Sequence, residues 1–139
     1  MTSVEGLIGT FNGSGAWYDS AGKSATYRIR QTNVSTADGF EVTFKHDFDD
    51  ATIVEARFTM TWIAASLFRV DVAGAAVGNG YVFDNMCHYH MKFGDKFVEV
   101  SYVAGGDAID VFGSSSSNAE GNYIAWKETL RRAGELRQP

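Results

Sequence analysis

Three histidines, His46, His88 and His90, are the side chains of this sequence best suited to proton transfer or metal ligation near neutral pH. His46 stands in a run where Phe40, Val42, Phe44, His46 and Phe48 alternate with Glu41, Thr43, Lys45 and Asp47. Alternate residues of a strand share a face, so the pattern predicts an imidazole that points inward among aromatic rings. There it would orient a ligand through one polar contact, or act as acid or base. A histidine hydrogen-bonded at the edge of the core is the structural alternative.

The second candidate is Cys87-His88-Tyr89-His90-Met91. In a strand His88 and His90 share one side with Lys92, while Cys87, Tyr89, Met91 and Phe93 take the other. Histidines two apart can chelate a metal, but Gly94 and Asp95 follow and no later histidine exists to complete the set. The apolar side is predicted to face inward, which leaves both histidines on the surface and gives no expectation of a bound metal. Cys87, opposite His88 across the strand, reads as a small buried hydrophobe and not as a nucleophile. No Gly-x-Ser-x-Gly elbow occurs, and Gly78-Asn79-Gly80 lacks the following helix of a phosphate-binding loop. Arg28, Arg30, Arg57 and Arg69 alternate with apolar residues and are predicted to face water.

Strands must position these residues. Extended runs are predicted at Leu7–Trp17, Ser24–Thr32, Phe40–Phe48, around Phe58, Met60 and Trp62, and then at Ser66–Val72 and Gly80–Phe83. Four more follow at Met86–Phe93, Phe97–Val103, Ala108–Phe112 and Tyr123–Thr129. Asp49-Asp50, Asn79-Gly80, Gly94-Asp95 and Gly105-Gly106-Asp107 read as turns, and Ser114–Ser117 as a loop. A turn or two of helix is predicted only at Glu128–Ala133, with Gly134 as its C-cap. The spacing favours one all-β domain over residues 1–139, an antiparallel up-and-down barrel of about eight to ten strands, because closure removes exposed edges.

Composition sets the classes of partner. Apolar residues make up 45% and charged residues 21% of the 139 positions, as in a globular protein with a core. Aromatics reach 14%, enough to line a cavity as well as fill a core. A net charge of −5 without a basic run argues against nucleic acid, and no stretch approaches the roughly 18 apolar residues of a membrane span. A lone cysteine and the absence of a leader-like start suggest a cytoplasmic protein without disulfides, in which the sequons at Asn12 and Asn33 carry no meaning. Oligomeric state is not legible.

The opening Gly9-Thr10-Phe11-Asn12-Gly13-Ser14-Gly15, followed by Trp17, resembles the first strand of the calycin superfamily: lipocalins, fatty-acid-binding proteins and nitrobindin-like proteins. The resemblance implies a barrel closed at one end by glycine kinks and an aromatic residue, with a ligand cavity inside. Only Trp17–Gly22 separates the first two strands, so the helical lid of fatty-acid-binding proteins is not expected. The histidine near the C-terminus that holds haem in nitrobindin-like proteins has no counterpart after His90, so no cofactor is expected.

The sequence therefore points to a small hydrophobic or amphipathic molecule held in the barrel. Phe44, Phe58, Met60, Trp62, Tyr89, Tyr102 and Trp126 are the expected walls and His46 the polar contact. An enzyme of isomerase, cyclase or lyase type is the alternative, with His46 or His90 paired to Tyr89 or Tyr102. A solid barrel acting through its outer surface is a third.

Overall fold

The computed structural model describes residues 4–117 and 122–133. A single 3-10 turn, Glu5–Leu7, precedes ten strands: β1 (Gly9–Asp19), β2 (Ser24–Ser35), β3 (Gly39–Phe48), β4 (Ile53–Ala64) and β5 (Leu67–Val72), then β6 (Ala75–Phe83), β7 (Met86–Phe93), β8 (Lys96–Gly105), β9 (Ala108–Ser117) and β10 (Tyr123–Arg132). Each strand pairs antiparallel with the next, and β10 returns to β1, so the sheet closes without a free edge. The architecture is the all-β meander expected from the alternation.

Alternation decides what each strand buries. Tyr27, Ile29, Gln31 and Asn33 of β2 point inward, as do Phe40 and Val42 of β3 and Cys87, Tyr89 and Met91 of β7. Arg28 and Arg30, between the buried residues of β2, are exposed, and so are Arg57 and Arg69. The 3-10 turn lies against the lower end of the barrel. There Leu7 is buried, and Asn33 Nδ2 donates to its carbonyl at 2.7 Å. Arg132 seals the same end. Its guanidinium lies 4.9 Å from the centre of the Phe11 ring, and Nη1 donates to the Ile8 carbonyl at 2.7 Å. Phe11 of the Gly-rich first strand is thus the buried aromatic residue at the closed end.

Three local expectations are corrected. The C-terminal segment up to Arg132 is strand β10, not helix, because Ile124, Trp126, Glu128 and Leu130 take the inner face between β9 and β1. Gly134, the expected cap, lies outside the described residues. Ser114–Ser117 belongs to β9 and not to a loop; ladders on both sides hold residues of weak strand preference extended. Asn79-Gly80 is no turn but the middle of β6, paired to β5 and β7. The reversals come instead at Ala73-Gly74 and Asp84-Asn85, where Ala73, Gly74 and Asp84 have φ of 52°, 84° and 52°. Gly80 serves packing: a Cβ there would stand 2.6 Å from Cε1 of the buried Phe68 ring.

Candidate ligand-binding site

Above the closed end, the inward residues leave a cavity of about 320 Å³. Its lower and middle walls are Val100, Tyr102, Tyr89, Val111, Phe44 and Phe58, and Trp17, Phe48, Phe93 and Trp126 line it towards the other end. That end is where the reversals after Asp19, Phe48 and Phe93 bring the strands back. The register explains the composition. Trp17 on β1 faces Trp126 on β10, and Phe48 on β3 faces Tyr27 on β2, so one end of the wall is a belt of rings.

One acidic side chain interrupts this lining. Glu128 of β10 is only 4% exposed. Tyr27 donates its hydroxyl to Glu128 Oε2 at 2.7 Å. Burial pushes the carboxyl up to about 7, opposed by the Tyr27 hydrogen bond, which favours the ionised form. Room for this pair comes from β1. Gly15 lies opposite both Glu128 and Tyr27, and a Cβ on it would stand 2.7 Å from Glu128 Cγ and from the Tyr27 ring.

His46 lies beside the carboxyl, with Nε2 3.7 Å from Glu128 Oε2, beyond hydrogen-bond reach. Its ring is clamped between Phe44 and Tyr27, at centroid distances of 4.4 and 4.7 Å and interplanar angles of 22° and 28°. Desolvation pushes the imidazole down to about 4, so it is neutral across the physiological range. Nε2 is buried and has no hydrogen-bond partner among the described residues. A buried polar atom without a partner costs on the order of 1–3 kcal/mol.

Below this pair a second polar cluster is satisfied internally. Gln31 Nε2 donates to Asn33 Oδ1 and to Tyr102 Oη, both at 3.1 Å, and the Tyr89 and Tyr102 hydroxyls are 2.9 Å apart. Burial raises both phenols further above their usual range, so they remain protonated.

Six of the eight residues expected from sequence meet at this cavity: His46, Phe44, Phe58, Tyr89, Tyr102 and Trp126. Met60 and Trp62 are corrected. Met60 is fully buried nearer the closed end, and Trp62 packs on Phe40 and Phe68 at 5.7 and 5.9 Å, so neither lines the cavity. They follow Phe58 on the inner face of β4, but each step of two residues moves roughly 7 Å along the strand. His88 and His90 lie on the outer wall. His88 Nδ1 is 2.8 Å from Ser101 Oγ and its ring stacks on Tyr81 at 5.3 Å, while His90 is exposed. The pairing of His90 with a cavity tyrosine is therefore corrected: the two face opposite sides of the sheet. Cys87 is buried, and desolvation pushes its thiol up to about 12, far from a thiolate. Among the described residues no group of three or more His, Cys, Asp or Glu is disposed to hold a metal ion.

Glu128, Tyr27 and Gln31 complete the polar lining, and none of them was expected there. The signal for Glu128 was present: Ile124, Trp126, Glu128 and Leu130 alternate as a strand does, but a helical reading of the segment hides it. Tyr27 was legible as buried, though not as the partner of a carboxyl about a hundred residues away. For Gln31 no such signal exists, because a polar residue on the inner face breaks the alternation used to find that face.

No family model and no curated protein sequence matches this chain. Solved structures do. An S-type phycobiliprotein lyase, CPES from Guillardia theta, superposes with a TM-score of 0.76 at 10% identity, over 95% of this chain and 91% of that one. Rv2717c from M. tuberculosis gives 0.74 at 12% identity, over 94% and 95%. EF1p2_mFAP2b, solved bound to DFHBI, gives 0.55 at 10% identity, over 95% and 98%. At such identities the likeness is one of fold: a closed ten-stranded antiparallel barrel.

Proposed function

We propose that the protein binds a small, flat, largely apolar molecule in the barrel, with its one polar edge against His46 and Glu128. The observation that carries this reading is the buried Nε2 of His46, without a hydrogen-bond partner among the described residues and beside a carboxyl in an otherwise aromatic cavity. A ligand that supplies a hydrogen bond there relieves an unfavourable contact that the protein alone leaves standing. The cavity is about 320 Å³, roughly twice the ~150 Å³ apolar cavity that accommodates benzene, so two or three fused rings are of suitable size. The likeness of fold to a protein solved with DFHBI, and to a phycobiliprotein lyase, agrees with small-molecule binding. The Met60 and Trp62 positions have no part in it.

The test is a fluorescence titration with N-phenyl-1-naphthylamine, a neutral probe that brightens in apolar surroundings. The expected result is saturable enhancement with transfer of excitation from Trp17 and Trp126. The change His46→Ala is expected to weaken binding by about tenfold or more, the equivalent of one good hydrogen bond. Enhancement that does not saturate, or that is untouched by both His46→Ala and Trp126→Ala, contradicts the assignment.

A second reading draws on the same pair. Glu128, at about 7, can hold a proton that neutral His46, at about 4, does not compete for. An acid and a base held apart in this way suit proton transfer on a bound molecule. In that case His46→Gln abolishes turnover of a converted ligand while leaving its affinity within a few-fold.

A further inference from the structure

The charge balance of the cavity carries the reading one step further, to the chemistry of the molecule. Glu128 is its only carboxylate among the described lining residues, and none of those lining residues is a lysine or arginine. The groups that face Glu128 are Tyr27 from β2, His46 from β3, and Tyr89 and Tyr102 from β7 and β8. The flanking strands set Gly15 and Val111 opposite it. On the inner face of β10 the nearest guanidinium is that of Arg132, four residues away and roughly 13 Å along the strand, while Arg131, three residues away, is exposed on the outer face. Arg132 is held at the closed end by the Ile8 carbonyl and the Phe11 ring. A ligand carboxylate in this cavity would meet a like charge and no compensating cation.

We infer that the cavity selects a basic nitrogen heteroaromatic or aromatic amine, whose N–H groups bridge the Glu128 carboxylate and His46 Nε2, and rejects carboxylates of the same size. This rests on the ligand-binding role proposed above. The 3.7 Å between Glu128 Oε2 and His46 Nε2 lets one nitrogen-bearing edge address both acceptors. With its own proton on Nδ1, the imidazole offers a lone pair at Nε2, and as a neutral ring it does not repel a cation. The cation also keeps the buried Glu128 ionised, which burial alone opposes.

Three probes of one tricyclic size separate the possibilities: 9-aminoacridine as cation, anthracene-9-methanol as neutral molecule and anthracene-9-carboxylate as anion. Their affinities for the full chain are measured by fluorescence between about pH 5.5 and about pH 8.5. The expected order is cation, neutral, anion, with at least about a tenfold gap between first and last at neutral pH. Affinity for the cation rises as Glu128 ionises through about 7, and that for the anion falls. Glu128→Gln removes both the gap and the pH dependence; should that variant not fold, the opposite pH slopes in the unaltered protein decide the matter. Equal or tighter binding of the anion, or slopes of the same sign for both charged probes, overturns the charge selection and leaves the ligand cavity standing. Binding of none of the three overturns both.

Discussion

Glu128 and His46 are displaced from their ordinary protonation behaviour in opposite directions, and stability must register this. The Glu128 carboxyl titrates near 7 in the folded chain against an ordinary 4.5, so the fold binds the proton that the unfolded chain releases. Its contribution is complete below pH 4.5 and is lost as the pH rises through about 7. His46 works the other way: lowered from 6.5 to about 4, its contribution is complete above 6.5 and is lost as the pH falls through about 4. Across the overlap the two slopes largely cancel. Glu128→Gln is therefore expected to be more stable relative to the parent protein at pH 8 than at pH 5. The gain should be up to about 3 kcal/mol, less the weakened Tyr27 hydrogen bond. Urea melts at both pH values check it, and an unchanged difference contradicts the buried carboxyl. Tyr27→Phe removes a hydrogen bond that favours the ionised form, so the Glu128 midpoint, followed by NMR of its side-chain carbonyl, should move above about 7. A midpoint that stays or falls speaks against Tyr27 as the donor.

Strands turn a pattern of alternation into a site, and each strand carries its own test. Met60 and Phe58 share the inner face of β4, yet only Phe58 touches the cavity. Met60→Ala should cost about 2–5 kcal/mol of stability while leaving probe affinity unchanged once the protein is folded. Parallel loss of affinity would mean the cavity reaches further down than the packing shows. Gly15 separates space from stability in the opposite sense. Gly15→Ala forces its methyl against Tyr27 and Glu128, so binding of the acridine cation should weaken well before the barrel melts. The strands β3 and β7 were legible because their inner faces are apolar enough to show a two-residue period, and β2 as far as Tyr27 and Ile29, before Gln31 and Asn33 interrupt it. The first part of β10, Tyr123–Thr129, was legible as well, but its end was not, since Glu128 on its inner face and Leu130-Arg131-Arg132 imitate the last turn of a helix. The second half of β6, Gly80–Phe83, was legible, but its first half was obscured by Asn79-Gly80, which reads as a turn unless Phe68 of the neighbouring strand is known to press against the backbone.

Closure of ten strands sets the size of the interior, and the whole molecule divides it by height. The 3-10 turn, Phe11 and Arg132 seal one end, a self-satisfied network of Asn33, Gln31, Tyr102 and Tyr89 lies above them, and the carboxyl and imidazole face the remaining space. A chain can reveal which residues turn inward without revealing at what height they stand. That is why the alternation marks the aromatics lining the cavity and equally Met60 and Trp62, which stand lower down, and leaves the carboxyl among them unmarked. The most direct test is the side-chain ¹⁵N NMR spectrum of His46, recorded with and without 9-aminoacridine. The expected result is a ring that stays neutral down to about pH 4 and whose Nε2 resonance moves on saturation with the probe, while His88 and His90 do not respond. A His46 that titrates near 6.5 and ignores the probe, with the perturbation on the outer wall instead, would contradict it.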